Sequence, residues 1–290
     1  MKTVGYGRWE AWHFVLAAAL GALGVMLAWP AWMDIYTIAG NDEEQSHIFL
    51  VPIVAAWMFW ARRVRLRNCP PSGTFVGPLI VAAGIAASVV GYDFSVQSLW
   101  HAGAVTILVG CILTVLGKNV LFQFFPAFLV LVFLVPIPGA VRQAVSIPLQ
   151  EATASATRTI LDAFGVPVVQ SGNLLLINQK PVAVAEACNG MRMVFALALV
   201  SYAFAFSIPL RNSSRALVLA FSPVAALACN VVRMIPTVLL YGYSSQEIAD
   251  DFHDVSGWLM LPLAFMLLLG VLRAVKWSLL PVMRFNLAYQ

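Results

Sequence analysis

FVGPLIVAAGIAASVVGY, residues 75–92, and VQSLWHAGAVTILVGCILTVLG, residues 96–117, decide the fold class between them. Neither contains Asp, Glu, Lys or Arg, and only Asp93, Phe94 and Ser95 separate them. About 20 apolar residues in a helix cross the hydrocarbon core of a bilayer, so the pair reads as two spans joined by a tight turn. The same ruler, worked outward, gives eight spans: 11–33, 47–61, 75–92, 96–117, 119–136, 188–210, 216–241 and 257–280. Composition agrees. The 290 residues are 61% hydrophobic and 10% charged, against about 25% charged in soluble domains. The expected fold is an all-α polytopic membrane protein forming a single integral membrane domain over 1–290. Lys2 and Arg8 precede an apolar run too long for a signal peptide, which reads as a retained first span.

Basic residues orient the spans, because Lys and Arg gather in cytoplasmic loops. With the N-terminus inside, twelve of the 17 fall on the cytoplasmic side, including Arg62, Arg63, Arg65, Arg67, Lys118, Arg211 and Arg215. All the acids except Glu10 fall on the other side. The expectation is therefore a cytoplasmic (inner) membrane protein with both termini in the cytoplasm.

The gap at 137–187 then faces outward. Its first part, GAVRQAVSIPLQEATASATRTILDAFG, spaces apolar residues as an interfacial helix does. Its second part has two β-prone runs, Asn173–Ile177 and Val182–Ala185, around a turn at 178–181, which predicts a small outer hairpin. The hairpin delivers the chain to residues 188–280, the segment holding the residues with chemical potential.

Those residues converge on one membrane face. Cys188 opens the sixth span, and Arg192 lies four residues on, on the same helical face. Asn230 and Arg233 share a face of the seventh span, and His253 precedes the eighth. Charges inside spans are costly and mark cavities or partners. A thiol beside a cation and a helix N-terminus is held as thiolate more readily. An imidazole can shuttle its proton, and a guanidinium can steady an oxyanion. Cys69, Cys111 and Cys229 read as packing residues, and His13, His47 and His101 as interfacial or structural ones. The scattered cysteines and the lack of HExxH spacing argue for no metal or other cofactor. The formal charge of +4 sits in short clusters, so nucleic acid is not an expected partner; the lipid bilayer is.

The strings at these positions resemble the exosortase/archaeosortase family of membrane-embedded cysteine transpeptidases. Glu186-Ala187-Cys188-Asn189-Gly190-Met191-Arg192 resembles its nucleophile segment, with Asn189 where serine is commoner. Asn230-Val231-Val232-Arg233 and His253-Asp254-Val255-Ser256-Gly257-Trp258 resemble its arginine and histidine segments. Ser46-His47-Ile48-Phe49-Leu50-Val51-Pro52 and Leu134-Val135-Pro136-Ile137-Pro138-Gly139 match two further stretches. The resemblance implies that Cys188 is the nucleophile, Arg233 the essential arginine and His253 the general acid/base. Arg192 shapes the site or meets a substrate carboxylate, with Glu186, Asn189, Asn230 and Asp254 in support. It further implies membrane-anchored precursor proteins with C-terminal sorting signals as substrates, cut on the outer face. The new end passes to water or to an acceptor amine, glycan or lipid.

Other readings compete. A non-enzymatic component of a polysaccharide or lipid export assembly would use the arginines for an anionic ligand and leave Cys188 replaceable. A small-solute transporter would place its charges near the midplane and show paired broken spans. An intramembrane metalloprotease would need a ligand cluster that the sequence lacks.

Overall fold

The computed structural model describes residues 9–184 and 190–277. The chain divides into two compact units, one ending at Pro138 and the other beginning at Gly139.

The first unit is built on the hairpin read from the sequence, α4 (Val76–Asp93) and α5 (Gln97–Leu116). Glycines recur every seventh residue on both helices. Gly77, Gly84 and Gly91 lie against Thr114, Ile107 and Trp100, while Gly103 and Gly110 lie against Ser88 and Val81. A Cβ added at Gly84 would sit 2.8 Å from the Ile107 backbone nitrogen, and one at Gly110 2.7 Å from that of Val81. The two backbones therefore touch along one seam, the close approach that small residues permit between membrane helices. Large apolar side chains such as Leu79, Val89 and Val90 point outward, as lipid-facing residues do.

Elsewhere in this unit, proline breaks what hydropathy joins. The expected span 11–33 is two helices, α1 (Ala11–Leu27) and α2 (Trp29–Asn41), bent by 83°. Pro30, in the first turn of α2, has no N–H with which to continue the hydrogen-bond ladder of α1, so the break falls at Ala28. The expected span 47–61 is a 3₁₀ stretch, Glu43–Leu50, followed by the 11-residue α3 (Val51–Ala61). A second 3₁₀ turn covers Arg63–Asn68. The run 119–136 is divided into α6 (Lys118–Gln123), α7 (Phe125–Leu129) and a 3₁₀ turn, Val130–Leu134, with Pro126 at the break. Among the described helices three are long and apolar enough to cross a membrane, and five if two bent pairs each count as one span. The count of eight thus stays with the sequence ruler. His101 on α5 bonds Asp34 on α2 at 2.8 Å, the structural role expected for it.

The second unit opens with α8 (Gly139–Ala163), a helix where one was expected. Its buried stripe is largely polar (Ser146, Gln150, Thr153, Thr157), whereas Val141, Val145 and Ile147 are exposed. Gln150 donates to Ser146 and accepts from Asn173 just ahead of the central strand, and Thr153 donates to the Leu149 carbonyl, while the buried Thr157 hydroxyl has no partner among the described residues. The expected hairpin is present but enlarged to three antiparallel strands: β1 (Val169–Ser171), β2 (Leu174–Ile177) and β3 (Lys180–Ala183). Its turn has two residues, Asn178 and Gln179, both at positive φ (49° and 64°), as a tight type I′-like connection requires. Leu175, Ile177, Val182 and Val184 pack one face of the sheet on Ala154 and Leu161 of α8 and on Met234 and Val238.

Three long helices complete the unit: α9 (Gly190–Ser207), α10 (Asn212–Tyr243) and α11 (Gln246–Trp277). Met193, Leu197, Ala225, Ala226, Cys229 and Ala264 form the core between them. The last helix starts eleven residues before the apolar run at 257–280. Its first turn carries Glu247, which suits the positive end of the helix dipole. Hydropathy sees only the apolar part. His253 consequently lies on α11, not in a loop ahead of it.

Candidate active site

Two of the three residues expected to act are placed by α10 and α11. Arg233, in α10, is 6% exposed. Its guanidinium reaches α11 at Gly257, where an added Cβ would stand 3.1 Å from Nη1. Gly257 is four residues after His253, so it lies on the same helical face about 6 Å along the axis. The arginine therefore lies against α11 one turn from the imidazole, in room left by a residue with no side chain. Thr237, fully buried, donates its hydroxyl to the Arg233 carbonyl at 2.8 Å. Asn230, one turn earlier, is 2% exposed and its Oδ1 has no hydrogen-bond partner among the described residues. A buried acceptor without a donor costs about 1–3 kcal/mol, the kind of departure that accumulates where a ligand is to be met.

His253 is partly open, with 25% of its side chain exposed. Its Nδ1 is 3.2 Å from Asp254 Oδ1. A carboxylate only accepts, so the nitrogen facing it is Nδ1–H and the neutral ring keeps its lone pair at Nε2. Asp254 is well exposed (82%); it orients the ring and adds little stability. Ser256 donates to the His253 carbonyl at 3.1 Å.

Beside His253 opens a cavity of about 590 Å³. Gln246, Asp250 and His253 of α11 and Tyr241 of α10 form one wall, and Lys180 to Ala183 of β3 form the other. The Tyr241 hydroxyl donates to Asp250 Oδ1 at 2.5 Å, tying α10 to α11 at that wall. Lys180 Nζ donates to the Ser244 carbonyl at 3.4 Å, and Asn178 to that of Gly242 at 3.2 Å. These bonds fix the strand end to the helix end.

Arg192 lies in the first turn of α9, half-buried between the buried Met191 and Met193. Cys188, Glu186 and Asn189 lie outside the described residues. The remaining cysteines behave as packing residues. Cys229 belongs to the helix core. Cys69 is buried beside the Asn119 carbonyl, and burial pushes its thiol pKa up. Sequence reasoning passed over Tyr241, Asp250 and Gly257 as contributors. The i, i+4 spacing of His253 and Gly257 was the available signal.

The family described as transmembrane exosortase matches this chain over residues 32–270. No curated protein and no solved structure matches it.

Proposed function

The chain belongs to the transmembrane exosortase family, and from that premise we propose that it is a membrane cysteine transpeptidase with Cys188 as nucleophile. The observation that carries this reading is the buried Arg233 guanidinium lying against Gly257, one turn from His253, which itself lines a cavity together with the strand that precedes Cys188 in the sequence.

In the proposed mechanism His253 Nε2 takes the thiol proton, and the Cys188 sulfur attacks the scissile carbonyl carbon. The oxyanion that forms is met by the Arg233 guanidinium, a fixed charge in a partly dehydrated setting, where such donors act strongly. His253 then gives its proton to the departing amine nitrogen as the C–N bond breaks, leaving a thioester on Cys188. Water or an acceptor amine attacks the thioester, His253 takes its proton, and the thiol is restored. Asp254 keeps the ring in the tautomer that places the working nitrogen at Nε2. Arg192 shapes the site or meets a substrate carboxylate, with Glu186, Asn189 and Asn230 in support.

The substrates on this reading are membrane-anchored precursors with a C-terminal motif, a transmembrane helix and a basic tail, processed on the outer face of the cytoplasmic membrane. The N-in, C-in orientation from the basic residues supports that side. The test compares the C-terminal peptides of membrane proteins in cells carrying wild-type or Cys188→Ala enzyme. A set of C-termini that reverts to full-length precursor in the variant is expected. An unchanged set would overturn the enzyme and favour the export-assembly role.

A further inference from the structure

The strand that walls the cavity has a free edge of unusual composition. In the β2–β3 ladder Leu174 faces Ala183, Leu175 faces Val182, Leu176 faces Pro181 and Ile177 faces Lys180. The Val184 N–H donates to the Asn173 carbonyl, which fixes the phase of the alternation between bonded and non-bonded pairs. Lys180, Val182 and Val184 turn their backbone groups inward to β2. Pro181 and Ala183 turn theirs to the other side. β3 is last in the sheet order, so that side carries no strand among the described residues.

Pro181 is permitted there for this reason, since its missing N–H would have pointed outward. What the edge offers is the Pro181 carbonyl and the Ala183 N–H and carbonyl. Long exposed edges invite unwanted pairing and are usually blunted. This one is short, half-blocked by proline and set in the cavity wall. Lys180, Pro181, Val182 and Ala183 all border the cavity. Consecutive residues from both faces of a strand line a space when the strand's edge, not a face, borders it.

We propose that an extended segment of the precursor, adjoining its scissile bond, docks on the edge of β3 as a fourth strand. The inference rests on the transpeptidase reading and names how that site holds its substrate. In either direction the added strand makes three backbone hydrogen bonds, two with Ala183 and one to the Pro181 carbonyl. Main-chain pairing tolerates varied side chains, as an enzyme acting on a set of precursors requires. Cys188 follows Ala183 by five residues in the sequence, so peptide held here is close along the chain to the nucleophile, and His253 lines the same cavity.

The test uses the full-length enzyme in its native membrane, with the precursors that accumulate in Cys188→Ala cells as probes. Ala183→Pro deletes the outward N–H and leaves every bond to β2 in place; Ala183→Ser keeps the N–H. Processing in the proline variant should fall at least about tenfold, the loss of one bond and the crowding of its neighbours. The serine variant, which keeps the N–H, should retain more of the rate than the proline variant, and Cys188 should label equally with a small thiol reagent in all three. Normal processing by Ala183→Pro, with Cys188→Ala inactive, would overturn the docking edge and leave the transpeptidase standing. Precursors that never accumulate in Cys188→Ala would overturn both. Independently of folding in the proline variant, a benzophenone amino acid at position 181 of the Cys188→Ala protein should crosslink precursor residues within a few positions of the cleavage site. Crosslinks confined to the precursor's transmembrane helix would overturn the proposal.

Discussion

Replacing Gly257 by alanine isolates the contact between Arg233 and α11. The added Cβ would lie 3.1 Å from Nη1, where ordinary contact begins at 3.4 Å, so the guanidinium must retreat by 3.4 − 3.1 = 0.3 Å. Misplacement by about 1 Å costs a catalytic group on the order of 100-fold. A shift of a few tenths should therefore slow processing roughly three- to tenfold, and the bulkier Gly257→Val on the order of 100-fold. Stability should move the opposite way for alanine, because glycine within a helix is less favourable by roughly 1 kcal/mol. The assay pairs the rate of precursor processing in membranes with thermal unfolding of the purified protein in detergent. Slower processing with an unchanged or higher Tm places the effect on the arginine. Wild-type processing by Gly257→Ala, or activity and Tm falling together, would refute a guanidinium that works from this position.

Arg233→Lys keeps the charge but loses the planar fork, and should cut processing about 100- to 1000-fold with normal protein levels; precursor accumulation reads this out. Gly84→Leu forces a side chain into the α4–α5 seam, where even a Cβ would lie 2.8 Å from backbone, and should destabilise by about 1–3 kcal/mol, seen as a lower Tm in detergent. Cys69, whose pKa burial raises, holds little thiolate at neutral pH. In a Cys188→Ala protein its labelling should stay slow at pH 7 and quicken only as the pH rises past the usual thiol range, as a maleimide time course would show.

Helix content and the small sheet were legible because each has a direct signature. Apolar runs give the helices, the β-prone runs 173–177 and 182–185 around the turn at 178–181 give the hairpin, and i, i+3 or i, i+4 spacing gives the faces. Span continuity was less legible, since a hydropathy window averages across Pro30 and Pro126 while the backbone cannot. The start of α11 was missed for the converse reason. Its charged first turns are stabilised by the helix dipole, which hydropathy does not weigh. The third strand, Val169–Ser171, is three residues long and owes its existence to β2. Gly257 was invisible as a functional position because its contribution is space, which only the neighbouring helix reveals.

The glycine seam of α4 and α5 sets a mechanical limit. Side chains that mesh through rotamers can slip by small steps, but here every contact of backbone with backbone recurs only after seven residues. Sliding one helix along the other by less than that repeat, about 10.5 Å of axial travel, would drive glycine slots against the larger residues between them. The glycines themselves have no side-chain freedom to lose on docking, which lowers the entropic penalty for staying locked. The pair acts as a fixed post in the membrane. Any movement within this unit must come from elements without such a lock.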